Sequence, residues 1–145
     1  MRRPAVVLVF GALSVTSVAG CGKSQPTKSQ YITRANALCA AEINNLRRLA
    51  ERRHSPDELV RESFRLHERA NAQLRAIPIP PKETVPAEWV HVRETAIVNA
   101  RKILKTKPNS RENHAANRAY YQAEAAAVKI ARAYGLRECI GFAST

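Results

Sequence analysis

At 145 residues, 45% of them hydrophobic and 25% charged, the chain has room for one domain and an ordinary apolar share from which to build a core. That balance excludes a largely disordered chain and a multi-domain enzyme. Its 24 Lys and Arg against 12 Asp and Glu give a formal charge of +12, an excess that attracts anionic partners wherever it is gathered on one surface.

Arg2 and Arg3 precede an apolar run from Ala5 to Ala19. The run is shorter than the roughly 20 residues a membrane-spanning helix needs and suits the apolar region of a signal peptide. It ends in Val18-Ala19-Gly20-Cys21. An aliphatic residue and two small ones before Cys resemble the lipobox of bacterial lipoproteins. The resemblance implies that residues 1–20 are a signal peptide and that Cys21 carries diacylglycerol. The product is then anchored by lipid to the extracytoplasmic side of the cell membrane, and two acyl chains make such anchoring stable. The alternative is a secretory peptide cut after Ala19, because Ser17-Val18-Ala19 also fits the small-x-small rule. Cysteine arithmetic weighs against it. The chain holds Cys21, Cys39 and Cys139, and a plain thiol at Cys21 would leave an exported protein with an odd cysteine. Residues 21–30 then read as the lipidated Cys and a polar tether, GKSQPTKSQ, reaching at most about 30 Å.

From Tyr31 onward the pattern is helical. Tyr31, Ala35, Leu38, Cys39, Leu46 and Leu49 recur at three- and four-residue spacing and predict a first helix ending near Arg53. Ser55-Pro56-Asp57-Glu58 supplies an N-cap, a Pro at the first helical position and a Glu three residues after the cap. The second helix carries Val60, Phe64, His67, Asn71 and Leu74 on one stripe and stops at Ile77-Pro78-Ile79-Pro80-Pro81, where prolines remove backbone donors. Pro86 opens a third helix that buries Trp89, Val92, Ala96, Ala100 and Ile103 and ends before Pro108. Asn109 with Glu112 caps a fourth, whose stripe is Ala116, Ala119, Tyr120, Ala123, Ala127, Ile130 and Tyr134, with Gly135 as its stop. No segment reads as a strand. Short connections favour an all-α, antiparallel up-down-up-down four-helix bundle over residues 31–145. In that topology the start of the first helix and the end of the fourth share a pole, so Cys39 and Cys139 can meet. Outside the membrane they are expected to be oxidised, closing a loop of about 100 residues.

Ala35-Asn36-Ala37-Leu38-Cys39-Ala40, a proline-rich break, a Trp soon after it, and Tyr134-Gly135-Leu136 three residues before Cys139 together resemble a group of small helical actinobacterial lipoproteins and secreted proteins. Those proteins often place Gly directly after the last Cys, whereas Ile140 intervenes here before Gly141. The resemblance implies the helical fold and the paired cysteines and carries no activity.

Residues with catalytic spacing are scarce. There is no glycine-rich phosphate loop, no Gly-x-Ser-x-Gly and no Cys-x-x-Cys-His for haem attachment. The thiols are expected to be acylated or bridged, so none is a nucleophile. Two Glu-x-x-His pairs, Glu51/His54 and Glu88/His91, have the spacing used by dinuclear metal sites in bundles, but the topology puts them at opposite poles about 30 Å apart. His54 and His114 share a pole with Asp57, Glu58 and Glu112, where solvated or dipole-compensating roles suffice. His67 is expected to be a hydrogen-bonded core histidine rather than a haem ligand, and Phe64, Trp89, Tyr120 and Tyr134 to be core packing. No metal or cofactor is expected, and no enzyme activity.

Charge carries the functional expectation. Removing Arg2 and Arg3 leaves 22 basic against 12 acidic residues. Arg47, Arg48, Arg52, Arg53 and Arg61 crowd residues 47–61, and Arg101, Lys102, Lys105, Lys107 and Arg111 crowd residues 101–112. The topology puts both stretches at the pole away from the tether. Compensating a helix dipole needs one or two charges, not four or five. Arg47, Arg48, Arg52, Arg53, Arg101, Lys102, Lys105, Lys107 and Arg111 are therefore expected to bind a polyanion such as an anionic wall polymer, or an acidic protein. Export makes nucleic acid an unsuitable native partner. The alternative is a bundle that carries a small ligand, haem or metal.

Overall fold

The computed structural model describes residues 25–143 apart from Arg53. Cys21 and the apolar run before it lie outside the described residues, as does Arg53. Four α-helices follow one another: α1 (Lys28–Ala50), α2 (Pro56–Arg75), α3 (Val85–Lys105) and α4 (Arg111–Tyr134). A short 3-10 helix, Arg137–Ala143, follows α4. No strand occurs among the described residues, and none of their helices is long and apolar enough to cross a membrane.

The first helix begins earlier than the apolar stripe suggests. Thr27 Oγ1 accepts from the Gln30 amide at 3.2 Å, and Gln30 Oε1 accepts from the Thr27 amide at 2.9 Å. This reciprocal capping box satisfies two amide donors that would otherwise face water, so Lys28 to Gln30 belong to α1 and not to the tether. The helix also stops at Ala50, short of Arg53. Ser55 caps α2 through the Glu58 amide at 3.3 Å, with Pro56 in the first turn. The cap of α4 is Ser110, not Asn109: its hydroxyl accepts from the Asn113 amide at 3.1 Å. Asn109 instead makes the turn, at φ 60°, a left-handed conformation that Asn tolerates better than most residues. Gly135 ends α4 at φ 97°, and the Leu136 amide returns to the Ala131 carbonyl at 2.8 Å, the hydrogen-bond pattern of a glycine C-terminal cap.

Each helix packs on its neighbour in the chain, most extensively α3 on α4, and the 3-10 helix bridges α4 and α1. This packing is compatible with a bundle. From Glu68 to Arg75 along α2, the ion-pair partners on α3 step back from Arg101 to Glu94, so these two helices run against each other. Ala116, Ala123, Ala127 and Ala131 are buried on α4, and their small side chains admit α3 closely. Val60 departs from the expected stripe of α2 and is 42% exposed. Beside it, Leu59 is partly buried.

The core gathers where α1 meets the chain end. Tyr31, Ala35, Cys39, Trp89, Leu136 and Cys139 are buried together, and the Tyr31 and Tyr134 rings meet edge to face at 6.1 Å between centroids. Cys39 and Cys139 form a disulfide with Cα atoms 5.0 Å apart. Bridging a sequence separation of 100 stabilises by about 4.7 kcal/mol through loss of unfolded-chain entropy. Replacing both cysteines by Ser is therefore expected to remove several kcal/mol, measured by denaturant unfolding. Reductant should lower the stability of the native chain to the same level and leave the double variant unchanged.

Candidate functional site

Each helix sets an acidic, basic or histidine side chain among its inward residues. On α1, Glu42 lies three residues after buried Cys39 and seven before buried Leu49. On α3, Arg93 lies four after Trp89 and three before Ala96, both buried. His67 on α2 sits between Phe64 and Asn71, and Glu124 on α4 adjoins Ala123 and precedes Ala127. Glu42 is 3% exposed and Arg93 8%.

These groups meet. Arg93 Nη2 donates to both Glu42 oxygens, at 3.0 and 2.9 Å. His67 Nδ1 stands 2.7 Å from Glu42 Oε1. An ionised carboxylate only accepts, so Nδ1 carries the proton. The Arg93 guanidinium also lies 5.3 Å from the Trp89 ring centroid, a cation–π distance. Burying a charged carboxylate costs several kcal/mol, which Arg93 and His67 together offset. Beside the pair, Phe64, His67, Arg93, Tyr120 and Glu124 enclose a space of about 10 Å³, the size of one water molecule. Burial pushes the Glu124 carboxyl above its ordinary value. Arg93 and then His67 pull against that shift, and Glu42 adds to it. Burial likewise pushes the Tyr120 phenol up to about 12.

His67 is thus hydrogen-bonded inside the bundle, as its stripe position indicates. Glu42, Arg93 and Glu124 escape a reading that seeks apolar periodicity. The available signal was a charged residue occupying a stripe position on three of the four helices. Trp89 and Tyr134 are buried, and Phe64 meets Tyr120 edge to face at 6.3 Å. His54 Nδ1 lies 3.6 Å from Glu58 Oε2 on the first turn of α2. Among the described residues no group of three or more His, Cys, Asp or Glu is arranged to hold a metal ion.

The basic residues lie on the outside. Arg47 donates to Asn44 Oδ1 at 3.3 Å and Arg48 to Asn45 Oδ1 at 2.6 Å, both one turn back along α1. Arg48 and Arg52 line a cleft of about 220 Å³ with Arg69 of α2, a residue outside the expected set. Arg101 is matched locally, its Nε 2.6 Å from Glu68 Oε1, and its guanidinium is held more firmly protonated by that bond. Lys102, Lys105, Lys107 and Arg111 are exposed. A wider groove of about 520 Å³ opens between the start of α3 and the end of α4, floored by Val85, Ile130 and Tyr134 and edged by Lys28, Lys129 and Glu83.

No known protein family, curated protein or solved structure matches this chain.

Replacing Arg93 with Ala leaves the Glu42 carboxylate without its main partner and is expected to cost about 3–5 kcal/mol in denaturant unfolding. Adding Glu42→Gln should recover part of that loss, a coupling visible in a double-mutant cycle. Glu124 has the opposite sign. Because its folded-state pKa is raised, its contribution is full below the ordinary carboxyl value near 4.3 and is lost as pH rises through the folded value. Glu124→Gln is therefore expected to raise the melting temperature at neutral pH, with the gain closing near pH 4, measured by thermal unfolding at both.

Proposed function

We propose that this chain is a lipid-anchored extracytoplasmic envelope protein, not an enzyme, that serves as a binding or structural module for an anionic envelope component or partner protein. The lipobox-like Val18-Ala19-Gly20-Cys21 supports the anchor. The cap at Thr27 supports a short link, since the seven residues from Cys21 to Thr27 reach at most about 24 Å when extended. A domain tied that closely works next to the membrane surface.

The observation that carries the binding reading is the cleft between α1 and α2, where Arg48 of α1, Arg52 just beyond its end and Arg69 of α2 line one space. Arginine at such density favours oxyanions, which match its planar fork of donors. Wall polymers bearing phosphate supply that chemistry outside the membrane, and an acidic protein face supplies a weaker form of it.

Neutralising Arg47, Arg48, Arg52 and Arg53 together is expected to weaken binding to an anionic wall polymer at physiological salt well beyond neutralising Arg34, Arg118, Arg132 and Arg137, as read by titration calorimetry. Equal losses would mean that only net charge matters. Separately, Cys21→Ala should release the protein from the membrane fraction of its host; unchanged retention would remove the anchor.

A second reading, carriage of a small ligand by the bundle, draws on the open groove at Val85, Ile130 and Tyr134. An apolar floor with charged edges suits an amphiphile, and mass spectrometry of the native protein from its host would reveal one.

A further inference from the structure

We propose that the cleft between α1 and α2 is a binding site for a phosphate monoester group, seated on Arg48, Arg52 and Arg69. The proposal rests on the anion-binding reading above and names its seat and its ligand chemistry.

What sets the cleft apart is convergence: Arg69 of α2 lines the same space as Arg48 and Arg52, whereas three arginines elsewhere on the surface are paired with carboxylates. Arg65 is committed to Glu62, Arg75 to Glu94 and Arg101 to Glu68. The side chains of Arg52 and Arg69 make no hydrogen bond or ion pair among the described residues. Arg48 donates to Asn45, which also lines the cleft, and this bond restrains its guanidinium. The helix dipole does not account for this grouping. Arg48 lies in the last turn of α1, but Arg52 lies beyond its end, and Arg69 sits six residues before the end of α2.

Glu62 is the one acidic group lining the cleft, and its carboxylate is taken by Arg65 from outside. Three guanidiniums against one carboxylate leave a lining charge of +2. A phosphate monoester near neutral pH carries about −1.5 to −2 and three terminal acceptor oxygens, one for each arginine. A carboxylate brings one charge and two oxygens, and a phosphodiester one charge and two free oxygens. Neither matches the charge or the number of forks. Leu49 and Leu66 also line the cleft, and an apolar wall keeps competing water from part of the site, strengthening each charge-assisted bond. A volume of about 220 Å³ accommodates the phosphate with part of its ester group.

The test uses the full chain, with inorganic phosphate and glycerol 3-phosphate as separate probes for a free and an esterified source, and acetate as the carboxylate control. Titration at physiological salt, followed by amide chemical shifts, should show phosphate or its monoester binding about tenfold more tightly than acetate. The preference should fade as pH falls through about 6, where the second phosphate proton returns. Arg52→Gln with Arg69→Gln should lower affinity about tenfold, against less than about twofold for Lys102→Gln with Lys105→Gln. All four positions are exposed, so the variants are expected to keep the wild-type helical circular dichroism and melting temperature. Equal losses from the two pairs would overturn the cleft as the seat and leave the anion-binding reading standing. Phosphate held no better than acetate would overturn the monoester class. Failure of the wild-type chain to bind either phosphate probe, or anionic wall polymer, at physiological salt would overturn the site and the anion-binding reading together.

Discussion

The covalent closure of α1 onto the chain end positions much of what this protein presents. α1 packs on α2 along one side and on the 3-10 helix along another, and Cys39 joins it to Cys139 across 100 residues. Loop closure over such a distance is entropically expensive, and the disulfide removes that cost from folding by imposing it on the unfolded chain. Around the bond, Tyr31 meets Tyr134, Ala35 lies fully buried, and the Glu138 amide donates to Asn36 Oδ1 at 3.2 Å. Gly141 belongs to the same closure: a Cβ there would come within 2.9 Å of Ile43 Cδ1, so the return segment fits against α1 best with no side chain.

Glu42 follows Cys39 by three residues, about one helical turn along the same face. The disulfide that places Cys39 therefore also places the carboxylate that Arg93 and His67 surround. Apolar groups of similar volume would often be as stable as such a buried ionic group. What the charges add is discrimination: any sliding of α1, α2 or α3 that separates the three leaves a desolvated charge alone, a penalty that apolar neighbours do not impose. This matters in a core whose α4 face is mostly alanine, since small, similar side chains distinguish poorly between one helix register and the next.

On the surface, arginines differ in whether a carboxylate stands against them and in whether they gather about one space. Those facing Glu62, Glu68 and Glu94 are neutralised where they stand and contribute to solubility and to helix pairing. Arg48, Arg52 and Arg69 instead line one space at the α1–α2 cleft. Like charges held together in a folded protein repel and are tolerated when a counter-charge arrives from outside, which is the physical basis for reading the cleft as a binding surface. Its position on α1 and α2 sets it beside the buried Glu42–His67 contact that joins the same two helices.

Periodicity in the sequence was sufficient to place four helices, most of their inward stripes, and the prolines and Gly135 at their ends, because each depends on local geometry. His67 was legible as a core group for the same reason. The pairing of Cys39 with Cys139 was expected from helix order together with the lipobox resemblance that sets Cys21 apart. The start of α1 was legible in principle through Thr27 and Gln30, but it lies ahead of the apolar stripe and is set by two hydrogen bonds rather than by burial. Glu42, Arg93 and Glu124 could be noticed as charges on apolar stripes, yet which charge faces which depends on helix rotation and offset, and these are decided by packing. The grouping of Arg69 with Arg48 and Arg52, and the pairing of Arg101 with Glu68, likewise belong to the tertiary structure alone. A net charge is a property of composition, whereas an uncompensated charge is a property of distances between helices that are remote in the chain.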